Sequence, residues 1–473
     1  MQALKTIFIL LEVILLFNLL IFVHELGHFL AARWRGLRVD RFAIWFGKPI
    51  WKKQINGVEY ALGWIPAGGY VALPQMAPMD VIEGKSQDAP TEKLTVITPL
   101  DKIIVAFAGP LFSFLLAIFF AVIVWAVGRP VKEADKTRTI GWVDLAGPAW
   151  KGGLRPGDEI LEIDGHQITQ FGASSHESVV WRIVTSEGTN IAFKYLREGK
   201  EQMAYVAPYR RPTKWYERKS LRQVLIAPVQ DAAIFDVITN SPAALAGLRR
   251  GDRVVTLNGE KIYSWLAVAQ AQESMTNAAA GPVTLGILRG TEKLDVPLRA
   301  EKPLTPATSD PSFGISSWQD RSATALIHPG PFEQIQAGVS QITGTLRALF
   351  SRKSDVGVQQ LGGAVMIIRV YTNLFDSPDG WRLVLWFSVV MNVNLAMLNM
   401  LPFPVLDGGH ITLAILEQIR GRPVSGAILN YFQTACAMAL IAFMLFIAFF
   451  DTGDWVRSSR QQREEPMVFA PQK

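Results

Sequence analysis

His24-Glu25-Leu26-Gly27-His28 is an H-E-x-x-H run set inside the first long apolar stretch of the chain. On a helix, residues four apart face the same way, so the imidazoles of His24 and His28 can meet one metal ion. Glu25 is turned about 100° from His24. From there its carboxylate can hold a water beside the metal and act as general base, with zinc as the expected cofactor. The plain alternative is a helix surface carrying this spacing by chance. Context argues against it, because the run follows Leu19-Leu20-Ile21-Phe22-Val23 and ionisable groups are expensive in hydrocarbon.

Two histidines leave tetrahedral zinc short of a protein ligand. After His28 the next carboxylates are Asp40, amid arginines, and Glu59, and both are poor candidates. Asp407 is the better one, within Asn399-Met400-Leu401-Pro402-Phe403-Pro404-Val405-Leu406-Asp407-Gly408-Gly409-His410. Two prolines and two glycines break an apolar run there, freeing backbone groups that need partners, and the break carries a carboxylate. At ~1.5 Å per residue, His24 and Asp407 both fall roughly 30 Å from the outer starts of their spans. The two motifs can therefore meet at one level.

The elements that must position them are membrane spans. The chain has 473 residues, 49% of them hydrophobic, and a net charge of +6. Four spans are expected, at 1–33, 99–127, 383–412 and 428–450, followed by a tail over 451–473. The first is too long for a secretory signal and carries the metal motif, so it is expected to be retained. The lone Cys436 leaves no disulfide framework and no cysteine zinc site. Arg33, Arg35, Arg38, Arg41, Lys48, Lys52 and Lys53 follow span one, and Arg420 and Arg422 lie between spans three and four. By the positive-inside rule both loops are cytoplasmic, and both termini and the long segment between spans two and three lie outside.

Within the segment 34–98, Val58 to Leu62 and Tyr70 to Leu73 flank Gly63 to Gly69 and read as a membrane-associated β-hairpin or looped sheet over the metal site. Residues 79–98 read as a mobile polar loop. Between spans two and three lies an internal repeat: Pro148-Ala149, Gly153-Leu154-Arg155 and Gly157-Asp158 recur as Pro242-Ala243, Gly247-Leu248-Arg249 and Gly251-Asp252, 94 residues on. This pattern resembles PDZ domains, placed at 138–209 and 223–302 with the basic stretch 210–222 between them. PDZ domains bind peptide ends by strand addition; two β-domains serving as bulk are the alternative. Residues 303–329 read as linker, and 330–353 as an amphipathic helix that lies on the outer leaflet or packs against the second repeat.

Taken together, H-E-x-x-H in span one, N-x-x-P-x-P-x-L-D-G in span three and the intervening repeats resemble the site-2 protease family, in its bacterial RseP-type or regulator of sigma-E branch. Phe46-Gly47 before Lys48, Pro66 to Val71 and Ala108-Gly109-Pro110 extend the likeness over nearly the whole chain. The resemblance implies a polytopic α-helical membrane protein of four transmembrane helices, with a membrane-associated β-loop and two extracytoplasmic α/β PDZ domains. It implies His24, His28 and Asp407 as zinc ligands and Glu25 as catalytic base. Asn399, Pro402 and Pro404 would position substrate, as would Gly68, Gly69 and Tyr70 in a loop that adds a strand to it. Three positions depart from the family: Trp45 replaces the first glycine of Gly-Phe-Gly, Ser113 stands where an Asn often follows Ala-Gly-Pro, and Ala72 replaces a frequent Lys.

The function implied is intramembrane zinc proteolysis in the bacterial inner membrane. Its expected substrates are single-span membrane proteins, such as anti-sigma factors already cut by an upstream site-1 type protease, and remnant signal peptides. The PDZ domains would gate access. The expected surroundings are the lipid bilayer, with no nucleic-acid partner. Two rivals are an inactive PDZ-bearing scaffold, against which Glu25 speaks, and a metal transporter, which should carry ionisable residues through more spans than this chain does.

Overall fold

Helix α1 (Gln2–Trp34) is a single apolar rod, because in hydrocarbon a backbone must satisfy its own hydrogen bonds. The computed structural model of the chain describes residues 2–76, 97–132, 136–172, 175–275, 281–306, 308–318, 325–377, 379–421, 426–461 and 466–470. The expected polar loop at 79–98 lies, but for its last two residues, outside the described residues. The chain divides into two compact units, one of Met1–Arg129, Ile327–Thr343 and Leu361–Asp451, the other of Pro130–Leu326, Gly344–Gln360 and Thr452–Lys473.

The first unit holds the long helices or, for α3 and α7, most of their length. α2 (Pro99–Val127) opens on a capping box between Thr98 and Asp101, with Pro99 at its first turn. After it come α3 (Pro331–Phe350), α4 (Ala364–Phe375), α5 (Gly380–Asn399), α6 (Asp407–Arg420) and α7 (Gly426–Gln461). Among the described residues, four stretches are long and apolar enough to cross a membrane: Ile7–Trp34, Pro99–Val127, Gly380–Asn399 and Tyr431–Ser458. The protein is thus a membrane protein with added β-structure. The first half of α3 packs on α2 and α5. Gln334 Nε2 donates to the carbonyls of Ala121 at 3.0 Å and Pro329 at 2.9 Å, and Gly338 lies against Val393.

Between α1 and α2, strands β1 (Arg41–Phe46), β2 (Trp51–Ile55), β3 (Val58–Leu62) and β4 (Ile65–Ala72) form one sheet in the order β2-β3-β1-β4. The two arms expected to pair as a hairpin, β3 and β4, are not neighbours. β1 lies between them, parallel to β3 and antiparallel to β4. The cause is Phe42, whose ring sits edge-on to Phe22 at 5.8 Å and to Phe29 at 5.4 Å on α1. Burying that aromatic cluster draws β1 to the centre of the sheet. β4 is left at an edge.

The second unit holds the repeats. The first builds a sheet from Glu159–Ile163, His166–Gln167, Ile191–Arg197 and Lys200–Val206, and the second from Arg253–Leu257, Glu260–Lys261, Val283–Arg289 and Glu292–Leu298. The expected boundaries need correcting. Ile226–Pro228, assigned to the second repeat, pairs with Ile140–Val143 of the first. Ile315–Trp318, assigned to the linker, pairs with Ile234–Val237 of the second. Both closing strands are short and lack alternation, so the sequence signal is faint. Burial gives them away: Val224 and Phe313, each two residues before its strand, are 1% exposed in the two cores.

Candidate metal centre

α1 sets His24 and His28 one turn apart on its buried face, with their Nε2 atoms 3.3 Å from one another. α5 ends at Asn399, the chain turns through Pro402 and Pro404, and α6 begins at Asp407. The turn is tight: Cβ atoms on Gly408 and Gly409 would lie 2.2 Å from the Met400 carbonyl oxygen and 2.1 Å from that of Phe403. A carboxylate in the first turn of a helix also meets the positive end of its dipole. Lys102 on α2 holds α6 from the far side through Glu417, at 2.6 Å. Asp407 thereby comes to 3.3 Å from His24 Nε2 and 3.4 Å from His28 Nε2.

Helix α2 orients the imidazoles. His28 Nδ1 lies 2.8 Å from the Val105 carbonyl. A carbonyl only accepts, so Nδ1 carries the proton and the neutral ring leaves Nε2 a bare lone pair. His24 Nδ1 is 3.0 Å from the buried Ser113 hydroxyl. Close packing makes this possible: a Cβ on Gly27 would sit 2.4 Å from the Ala108 carbonyl, and one on Gly109 would sit 2.1 Å from His28 Nε2. Ala108-Gly109-Pro110 is thus the bare helix face against which the imidazole fits.

These residues suit zinc. Ligands ~2.0–2.1 Å from a tetrahedral zinc lie about 3.3 Å from each other. The three edges here, among His24 Nε2, His28 Nε2 and Asp407, measure 3.3, 3.3 and 3.4 Å. Asp407 Oδ2 is buried with no hydrogen-bond donor. Bare imidazole lone pairs and a carboxylate facing one point repel unless a cation lies between them. Among the described residues, this is the one group of three that could hold a metal.

Glu25 lines a small cavity together with His28, Val71, Val105, Asp407 and His410. Edge strand β4 borders the same place, since a Cβ on Gly69 would sit 3.1 Å from Glu25 Cγ and from Ile21 Cγ2. Gly68, Gly69 and Tyr70 all belong to β4. Tyr70 is anchored in the sheet, its hydroxyl accepting from Arg41 Nη1 at 3.1 Å and its ring stacking on Phe46 at 6.2 Å. Asn399 Nδ2 lies 3.3 Å from His24 Nε2, so this residue reaches the metal cluster itself. Pro402 is exposed and Pro404 buried, both in the turn that delivers Asp407. Sequence reasoning missed Ser113 and Val105 as partners of the histidines. The available signal was Ser113 itself, a hydroxyl one helical turn beyond Gly109 in an otherwise apolar run.

Known proteins are similar to this chain over most of its length. The family model described as peptidase family M50 matches residues 12–445. The regulator of sigma E protease of Haemophilus influenzae is 28% identical over 462 residues, covering 91% of this chain and 96% of that protein. A putative zinc metalloprotease of Vibrio cholerae is 27% identical over 437 residues, covering 87% and 91%. Protease RseP of Yersinia pestis is 26% identical over 462 residues, covering 92% and 96%.

Proposed function

Because the chain belongs to peptidase family M50, we propose that it cuts single-span membrane proteins within or beside their transmembrane segments, using Glu25 as general base and His24, His28 and Asp407 as zinc ligands. The chain is a zinc metalloprotease of the RseP-type site-2 class. The residue assignment rests on one observation: three ligating atoms at the mutual spacing of a tetrahedral zinc, with Glu25 on the wall of the adjoining cavity.

Zinc held there supplies a Lewis acid that polarises a peptide carbonyl and makes water nucleophilic at neutral pH. Glu25 takes the proton from the attacking water and passes it to the leaving amine. A substrate helix hides its carbonyls in its own hydrogen bonds, so a stretch must first unwind. The open edge of β4 takes up the freed backbone as an added strand; the missing side chain of Gly69 lets that edge lie close to Glu25, and that of Gly68 leaves room for the Phe46 ring. Asn399 and the Pro402–Pro404 turn guide the substrate from the other side. Glu25→Gln is expected to retain zinc at parent stoichiometry while cleavage falls by about 10²- to 10⁴-fold. Metal analysis beside a cleavage assay reads this, and near-parent turnover would remove Glu25 from its role.

The substrates we infer are anti-sigma factors after a first cut by another protease, and leftover signal peptides. The relatives named for sigma E regulation support the first class. The family resemblance supports a place in the bacterial inner membrane, and the charge of the short loops supports both termini and the repeats lying outside. The repeats, read as PDZ domains, refuse substrates with bulky outer domains and admit trimmed stumps. Removing residues 138–318, both repeats with their closing strands, is expected to let the enzyme cut an untrimmed substrate. Continued refusal would count against gating.

A further inference from the structure

Trp45 stands where the family has a glycine, and the backbone there still has the glycine conformation, with φ at +68°. The pairing of β1 with β4 slips at this point, between Ile44 opposite Gly69 and Phe46 opposite Ile65. Trp45 alone faces three residues of β4 across this slip; positive φ favours glycine, and a large side chain there is strained unless its surroundings hold it. Here they do. Trp45 Nε1 donates to Asn18 Oδ1 on α1, and Asn18 Nδ2 donates to the Ile14 carbonyl at 2.7 Å. Asn18 is itself a polar residue inside Leu15-Leu16-Phe17-Asn18-Leu19-Leu20, a position that disfavours an amide without such a partner.

The spacing gives the bond its use. Asn18, Ile21 and Glu25 follow one another at three and four residues, so they share one face of α1. That face meets the sheet twice. Asn18 holds Trp45 of β1, and Ile21 and Glu25 touch the place of Gly69 on β4. Ile44, the residue before Trp45, is the register partner of Gly69. The Asn18–Trp45 bond therefore fixes the height of the β4 edge against Glu25, about two helical turns along the same face.

We infer that Asn18 and Trp45 are positioning residues that set which peptide bond of a strand-paired substrate faces Glu25. This rests on the proposed roles of Glu25 and the β4 edge. A substrate added to β4 takes its register from that edge, so a loosened edge slides the substrate by whole residues. The pair thus governs cleavage position rather than chemistry.

The test maps cut positions by mass spectrometry on one membrane-embedded substrate, with the full-length protein carrying Trp45→Phe, Asn18→Ala or both. Trp45→Phe removes the N–H and keeps an aromatic ring. The expected result is that a single dominant cut spreads to neighbouring bonds, KM rises several-fold with little change in kcat, and zinc content stays at the parent value. The double variant should match the single ones, because both remove the same bond. An unchanged single cut in both single variants would overturn the inference. If Asn18→Ala does not fold, Trp45→Phe alone decides. Glu25→Gln on the same substrate separates the two ideas: if it abolishes cutting while the pair variants leave the cut unmoved, the inference fails and the catalytic assignment stands. If it cuts normally, the assignment fails first.

Discussion

Two kinds of buried aspartate occur in this protein, and they are built differently. In the repeats, Asp158 and Asp252 are each 1% exposed and fully answered. Arg197 Nε and Nη2 donate to Asp158 at 2.6 and 2.7 Å, and the Arg155 N–H adds a third bond at 2.7 Å. Arg289 and the Arg249 N–H repeat the arrangement on Asp252, every bond at 2.8 Å. In the membrane unit, Asp407 is nearly as buried but faces the imidazoles of His24 and His28, and its Oδ2 meets no donor. A buried carboxylate that the chain itself neutralises holds a fold together. One left short of positive charge is a place prepared for an ion from outside.

If that distinction is right, removing the two kinds of carboxylate has opposite consequences. Asp407→Ala is expected to lower cleavage by more than about 10²-fold, exceeding the loss on removing an outer partner of a metal ligand. It should also strip zinc. Once metal is chelated, the variant should melt no lower than the parent, because a buried uncompensated charge has gone. A chelated variant that melts well below the chelated parent would place Asp407 with the structural aspartates instead.

The corresponding change in a repeat should act on stability alone. Asp252→Ala leaves the Arg289 guanidinium without its carboxylate and opens the Gly251-Asp252 turn. Hydrogen bonds to charged groups contribute about 1.5–3 kcal/mol, and Arg289, whose side chain is 33% exposed, recovers part of this from water. A loss of about 2 kcal/mol is expected, read as a lower melting temperature of the second unit with zinc content unchanged. Loss of zinc at the same time would break the separation between the two sites.

The sequence made one of these sites far plainer than the other. H-E-x-x-H is local, its geometry dictated by the helical repeat, and Asp407 was legible because prolines and glycines interrupt an apolar run beside it. The repeats showed through Gly157-Asp158 and Gly251-Asp252, whose turns demand those residue types. Arg197 and Arg289 were not singled out, since each lies well past its aspartate at the end of a strand, where an arginine is unremarkable until the sheet folds back. The same holds for β1, placed between β3 and β4 by packing on Phe22 and Phe29 that no local pattern announces. Ser113 and Trp45 looked like departures from a family, and their partners, His24 and Asn18, both lie on α1. What escaped is the information that exists only after distant segments meet.

The smallest expected effect is a pH dependence confined to the repeats. Burial alone would raise the Asp252 carboxyl, but the bonds from Arg289 and the Arg249 N–H outweigh it and hold the group below the ordinary aspartate range. A carboxyl depressed in the folded state contributes stability that is fully present above its unfolded value, near 3.9, and is lost as pH falls towards its folded value. The unfolded chain takes the proton first, so acid favours unfolding. Parent and Asp252→Asn proteins should therefore differ in melting temperature by a constant amount above about pH 5, and that gap should narrow steadily below about pH 4. Arginine stays protonated throughout and adds nothing to the slope. A gap that persists unchanged to pH 3 would mean that the turn geometry, not the charge on Asp252, supplies the stability, and the contrast with Asp407 would then be one of shape rather than of charge.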